Sequence, residues 1–420
     1  MSQKSTSLPS SLLLPFGRRG LLTGGAAMAG SLAMPWVSRA NADAPIQIGM
    51  VWAKNGPLSG QGQYLAQGGL LALQQRKNML MGKPAQIIWL DETSPQSSAQ
   101  NAAKLMGEDK VVGVVGGVIS AFALAIAPVA EKMKIPFIAA NGAADEITGV
   151  DCNKYTFRSQ PPVHVHREMF GPYCKALGKK WYLITAAYAY GQDIKKEFTA
   201  YAKENGIEIV GADEVPLSAT DYSSYILKIR AAKPDVVVGG IVGGGLTTFL
   251  KQWEQLGMRG KIPFAEISIG CTDIWGVGPK AADGLFTMTW YYKNKNNSPA
   301  EQQMAADYLA AYKRPAADKA WMGWIAMKSL LDSIEAAKST RPAAIVEALE
   351  HWSMPRGDIN LHYRTFDHQM INRALVVKVK PKITDQWDYF DVLAELPKTP
   401  AEVEAVYGTQ ATSACKMGPV

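Results

Sequence analysis

Val111-Val112-Gly113-Val114-Val115, then the segment 121–132 (AFALAIAPVAEK), then Pro136-Phe137-Ile138-Ala139 is the stretch whose reading decides the fold. The first and last pieces are too short for helices. They are apolar along their whole length without alternation, as parallel strands covered on both faces are. The middle piece has helical length. Strand, helix and strand in that order make a β-α-β unit, whose crossover is right-handed in nearly all proteins.

The same alternation continues outward in both directions. Upstream, Ile46–Ala53 reads as a strand, Gln63–Arg76 as a helix, and Ala85–Leu90 as a strand ending in Asp91. Ser94-Pro95 opens the next helix, with a Ser cap and Pro at the first helical position. Downstream, a second cycle starts after Pro161-Pro162. The spacing predicts helices at Val163–Leu177, Gly191–Asn205, Tyr222–Ala232 and Thr247–Leu256. Between and after them come strands at Trp181–Thr185, Glu208–Glu214, Val236–Gly239, Pro263–Glu266 and Leu285–Thr289. Ser298–Tyr312 and Lys319–Ala337 are consecutive helices, a third starts at Arg341-Pro342, and Ala374–Val379 with Trp387–Leu393 reads as a hairpin. The expected class is α/β, with two doubly wound lobes on parallel sheets. The chain's 420 residues exceed what one core usually organises, which also favours two domains.

Ahead of this, Arg18-Arg19 precede the uncharged apolar run Leu21–Met34, and Ala40-Asn41-Ala42 follows. The run is too short to cross a ~30 Å hydrocarbon core. A basic pair, a brief apolar stretch and a small-x-small end read as a cleavable export signal of the twin-arginine type, cleaved after Ala42. Segment 1–42 holds Lys4, Arg18, Arg19 and Arg39 and no acid, so its removal lowers the net charge from +7 to +3. No dense basic block with interleaved aromatics remains, which argues against a nucleic-acid partner. No later segment is apolar enough for stable membrane insertion. The expected location is a bacterial periplasm. There the four cysteines, Cys152, Cys174, Cys271 and Cys415, can form disulfides. Three full pairings are possible. Cys152 and Cys415 lie in polar segments, so a bridge between them, tying the tail to the first lobe, is the expected one. Cys174 in a helix and Cys271 in a Gly/Thr loop are expected to be unpaired.

Catalytic motifs are missing where the fold would carry them. Gly60-Gln61-Gly62-Gln63-Tyr64-Leu65 lacks the third glycine of a dinucleotide fingerprint and stands seven residues beyond the first strand. Gly243-Gly244-Gly245 lacks the Lys-Ser/Thr of a phosphate loop, and no Gly-x-Ser-x-Gly elbow occurs. His164 and His166 are two apart at a helix start and read as solvated. His351, His362 and His368 lie in a polar segment with no metal-ligand spacing, so no metal and no cofactor are expected. The strand-end loops carry binding groups instead: Leu58-Ser59-Gly60, Gly117-Val118-Ile119-Ser120, Asn141-Gly142-Ala143-Ala144 and Tyr188-Ala189-Tyr190-Gly191. Glu266 ends an apolar strand at the carboxyl edge, where open α/β sheets bind ligands. Amides at helix starts suit a carboxylate, and Glu266 suits an ammonium. The pattern is one for holding a small molecule without turning it over.

The order and spacing of several stretches resemble the branched-chain amino-acid-binding proteins of ABC importers, which are type I periplasmic binding proteins. These stretches are the first strand into Gly56-Pro57-Leu58-Ser59-Gly60, Val111–Ser120, Ile135-Pro136-Phe137-Ile138, Tyr155-Thr156-Phe157-Arg158, Tyr190-Gly191 and Asp235–Gly240. The resemblance spans roughly Ile46 to Leu393. It implies two lobes joined by three hinge crossovers, lobe one from 45–160 plus 290–366 and lobe two from 161–289 plus 367–395, with a tail at 396–420. It places Ser120 on the ligand carboxylate and Asn141, Gly142 and Ala143 on the loop beside it. Tyr190 becomes the second-lobe aromatic, Glu266 the acid that receives an ammonium, and Tyr64 the ring that covers the ligand. Ala143 stands where a hydroxyl residue is common, and Val242-Gly243 where a tyrosine is expected. Amino acids, amides, urea and aromatic acids therefore all stay open as ligands. The implied partner is an ABC-importer permease, and the implied state is a monomer. A periplasmic sensing module for a membrane receptor shares the fold, and an exported α/β enzyme is the remaining alternative.

Overall fold

The computed structural model describes residues 44–417, so Arg18, Arg19 and the expected cleavage after Ala42 lie outside the described residues. The chain begins with β1 (Ile46–Val51), α1 (Ser59–Gln74), β2 (Met79–Leu80), β3 (Lys83–Leu90) and α2 (Pro95–Gly107). It continues through β4 (Val114–Gly116), α3 (Ser120–Met133), β5 (Phe137–Ala139) and β6 (Thr156–Arg158). These strands form one sheet in the order β2-β3-β1-β4-β5-β6, parallel except for the β2–β3 pair.

A second series follows: α4 (Val163–Leu177), β7 (Lys180–Ala186), α5 (Ala189–Glu204), β8 (Glu208–Val215), α6 (Ser223–Ala232) and β9 (Val236–Gly240). Then come α7 (Gly244–Gln255), β10 (Phe264–Glu266), α8 (Cys271–Val277) and β11 (Leu285–Met288). The chain returns to the first sheet's side with α9 (Pro299–Tyr312), α10 (Asp318–Ala337) and α11 (Pro342–Glu350). A small antiparallel sheet of β12 (Ser353–Arg356), β13 (Ile359–Tyr363) and β14 (Met370–Ile371) comes next. The last elements are β15 (Ala374–Val379), β16 (Phe390–Leu396) and α12 (Pro400–Tyr407). The second sheet runs β16-β15-β11-β10-β9-β7-β8, with β15 and β16 antiparallel at one edge. The chain thus passes between the two sheets three times, near residues 159–162, 289–298 and 372–373.

Local chemistry explains the element ends. Ser94 accepts from Ser97 N–H ahead of Pro95, and Ser298 caps α9 with Glu301 returning the bond. β1, β4, β5 and β9 are buried almost throughout, so their largely apolar content is matched by cover on both faces. The contact between α1 and α10 matters most for the site. A methyl on Gly68 would lie 1.8 Å from Ala320 O, and one on Gly323 would lie 1.9 Å from Leu65 O. Only glycine at both positions lets the two backbones come this close. That approach puts the start of α10 beside the middle of α1.

Three expectations need correction. Cys271 does not lie in a loop; it opens α8, with Gly270 at the cap. His166 is not solvated but fully buried, because it lies on the face of α4 that carries Val163 and Phe170 inward. Its Nδ1 meets Thr287 Oγ1 at 3.1 Å, and burial, reinforced by the charge of Lys319, pushes its pKa down to about 3. His164 stays partly exposed and pairs with Asp145 at 2.8 Å. The segment of His351, His362 and His368 is not simply polar: β12–β14 run through it, and His368 is buried, stacked on Phe157 and bonded to Glu350. Cys152 and Cys415 are joined in a disulfide, and Cys174 and Cys271 are buried free thiols.

Candidate functional site

The carboxyl ends of β4 and β5 on one side, and of β7, β9 and β10 on the other, converge on a small cavity of about 20 Å³. The first sheet's side supplies Val118, Ile119, Ser120 and Asn141, with Gln61 from α1 and Lys319 from α10. The second supplies Tyr188 and Tyr190, Ile241 and Val242, Ser268 and Ile269, and Asp273 from α8. A crevice outside strand carboxyl ends is where open α/β sheets bind ligands.

The expected site residues separate into two groups. Ser120, Asn141 and Tyr190 line the cavity; Gly142, Ala143, Glu266 and Tyr64 do not. Ser120 Oγ accepts the backbone N–H groups of Ala143 at 3.1 Å and Ala144 at 3.0 Å, so those amides are engaged within their own wall. Asn141 donates through Nδ2 to Val118 O at 2.7 Å, and its Oδ1 accepts from Lys319 Nζ at 3.0 Å. Gly142 is in place because a methyl there would meet Ile147 Cδ1 at 2.7 Å. Tyr190 donates to Ile267 O at 2.9 Å, and burial pushes its phenol upward, so it titrates far above neutrality.

Glu266 is fully buried under β9, where a methyl on Gly239 would lie 2.4 Å from its Oε2. It accepts the Ile241 N–H, and its Oε2 has no hydrogen-bond partner. Burial holds its carboxyl well above the usual range despite that bond, and the charge of Asp273 adds to the effect. Tyr64 stacks on Tyr308 at 6.3 Å, with the Arg314 guanidinium 4.2 Å from its ring centre, so it packs outside the cavity.

The charged groups of the cavity were not among the expected residues. Lys319 is 2% exposed; its Nζ donates to Asn141 Oδ1 and reaches Ser268 O at 3.5 Å and Asp318 Oδ2 at 3.3 Å. Asp273 accepts Gln61 Nε2 at 2.8 Å and Gly270 N–H at 3.3 Å through Oδ2. Burial pushes its pKa up to about 6, with Lys319 opposing the rise. One signal was available: Lys319 stands next to Asp318 at the head of a helix that is otherwise apolar for its first three turns. Asp273 gave none, because an acid three residues after Gly270 reads as ordinary first-turn chemistry. Lys319 to Ser268, Gln61 to Asp273, and Cys271 N–H to Asp318 Oδ1 at 2.7 Å all join the two sides directly.

The sequence profile of a periplasmic binding protein family matches residues 45–385. The chain belongs to that family. Leu/Ile/Val-binding protein homolog 7 of Brucella suis is 23% identical over 353 residues, covering 79% of this chain and 88% of that protein. The crystal structure of a periplasmic binding protein from Burkholderia mallei matches with a TM-score of 0.80 at 24% identity, over 89% of this chain and 98% of the other. A solute-binding protein of an ABC transporter from Rhodopseudomonas palustris, in complex with 3,4-dihydroxybenzoic acid, gives 0.76 at 20% identity, over 85% and 99%. These proteins bind solutes, and the enzyme alternative is set aside on that ground. As a periplasmic binding protein, the chain has two α/β lobes around a ligand cleft. Among the described residues no helix is long and apolar enough to cross a membrane, and no His/Cys/Asp/Glu group could hold a metal ion.

Proposed function

We propose that this protein captures a small amino acid, amide or related carboxylate in the periplasm and delivers it, as a monomer, to an ABC-importer permease. One observation carries the reading: a small polar cavity at the strand ends of two sheets, walled by largely buried side chains from both. A cavity of about 20 Å³ holds about one water. The two lobes must therefore part to admit a solute, and closing on it produces the form that docks. The Brucella suis and Rhodopseudomonas palustris relatives support amino-acid and small-carboxylate ligands respectively.

The test is a thermal-shift screen of purified protein against amino acids, amides and aromatic acids. A ligand bound by the native state at ~100 times its Kd adds about 2.7 kcal/mol of stability. A screen in which nothing shifts the melting temperature would sink the reading. Export is part of the proposal: signal 1–42 directs the twin-arginine route and is removed after Ala42. Arg18→Lys with Arg19→Lys should leave precursor in the cytoplasm, as fractionation and N-terminal sequencing would reveal. Normal export of that double variant would remove the twin-arginine assignment while leaving the binding reading intact.

A further inference from the structure

The groups expected to take a ligand's charged ends are engaged elsewhere. The first-wall amides of Ala143 and Ala144 go to Ser120, and Asn141 bonds Val118 and Lys319. Glu266 lies against Gly239 of the neighbouring strand and off the cavity wall. What faces the cavity instead is one cation and one anion, both buried: Lys319 from α10 and Asp273 from α8.

Their setting is built. A methyl on Gly270 would lie 3.1 Å from both Asp273 Oδ2 and Lys319 Cε, so Gly270 keeps open the notch that separates them. Ser268, whose carbonyl approaches Lys319 Nζ, holds a left-handed φ of 56°, a conformation that costs a non-glycine residue free energy. The Ser268 N–H donating to Thr287 Oγ1 at 2.9 Å helps fix that backbone. Asp318, the acid nearest Lys319, accepts Cys271 N–H through Oδ1 and pairs with Lys319 Nζ through Oδ2 at 3.3 Å, but it does not line the cavity.

Taking the solute-binding reading as given, we propose that Asp273 and Lys319 set ligand specificity, Asp273 receiving an ammonium and Lys319 a carboxylate of one zwitterionic solute. Recognition then rests on two helix starts, while the strand-end loops shape the walls. A pure anion would leave Asp273 facing like charge, and a pure amine would do the same to Lys319. A solute carrying both ends satisfies both, and truncating either partner of a buried charged contact is costly.

The experiment is calorimetry on the purified protein with the twenty L-amino acids, benzoate and benzamide. The deaminated and decarboxylated analogues of each amino acid that binds follow, such as 4-methylpentanoate and 3-methylbutylamine for leucine. At least one amino acid should bind, with both of its analogues at least tenfold weaker. Asp273→Asn and Lys319→Met should each weaken that amino acid at least thirtyfold, and Glu266→Gln should stay within threefold. The analogue series uses unaltered protein, so it decides the matter even where a variant folds poorly. Binding of benzoate or benzamide without any amino acid overturns the inference and keeps the solute-binding reading. Unchanged affinity in Asp273→Asn or Lys319→Met, or loss in Glu266→Gln, also overturns it. No binding by any probe overturns the inference and counts against the broader reading as well.

Discussion

In the first lobe, Glu92 follows β3, is fully buried, and accepts the Val118 N–H at 2.5 Å, pinning the loop after β4. In the second, Glu266 ends β10, is fully buried, and accepts the Ile241 N–H, pinning the loop after β9. Burial holds both carboxyls well above the ordinary range. The two lobes thus use one device: a buried acid that ties down a strand-end loop. They differ in what the cleft then receives. The first wall's own loops contribute neutral groups that are already hydrogen-bonded, and its only cation comes from α10, far along the chain. The second wall adds an acid, Asp273, one helix beyond its pinned loop. Matching positions in the two lobes hold the walls together, and the unmatched ones carry charge into the cavity.

The strongest way to break this comparison is to separate α10 from α1. Gly68→Ala should cost more than about 3 kcal/mol, because its methyl meets a backbone carbonyl that cannot move aside. Urea denaturation measures it, and a near-wild-type midpoint would mean that the helices can slide apart without cost.

The next effect is a pH dependence that distinguishes Asp273 from the two buried glutamates. Its folded-state pKa, pushed up to about 6 by burial, exceeds the unfolded value of about 3.9. Its stabilising contribution is therefore full below about pH 4 and is lost as pH rises through 6. The loss reaches about 3 kcal/mol by pH 8. The stability of Asp273→Asn minus that of wild type should grow across this window, and a flat difference from pH 4 to 8 would contradict the assignment.

Ser120→Ala tests whether the first wall's hydroxyl is structural. Removing Oγ leaves the buried Ala143 and Ala144 amides without their acceptor, an expected loss of about 1–3 kcal/mol in the protein alone. If stability holds and only ligand affinity falls, Ser120 belongs to recognition and not to the wall. The smallest effects should come from Glu92→Gln and Glu266→Gln. Each replaces a carboxyl whose charged form burial disfavours with a near-isosteric amide that keeps an acceptor for the same N–H, so each should shift stability by less than about 1 kcal/mol. A large loss in one but not the other would end the parallel between the lobes.

The architecture was legible because period and punctuation agree along most of the chain. Val163–Leu177 and Ala374–Val379 emerge with the bounds their patterns predict, and Ser94-Pro95 starts α2. The short strands β12 to β14 were not legible, since two- to five-residue strands carry too little alternation to stand out from a polar segment. His166 was missed because one helix residue at a lobe's inner face looks the same in sequence as one at its outer face. The local pattern places Glu266 at a strand end, which it is. Whether that end opens to the cleft depends on the neighbouring strand, where the bare Gly239 leaves room for the Glu266 carboxylate to lie against β9.

By itself, then, the sequence determined the α/β class, the two series of parallel strands and the edge at which a ligand site must lie. Those follow from short-range periodicity, which any window of the chain carries. Only the tertiary structure decided which charges enter the cleft. Lys319 meets Asn141 across 178 residues, and Gln61 meets Asp273 across 212. Both meetings depend on how closely α1 and α10 pack and on how the two sheets face each other, distances that no local pattern encodes.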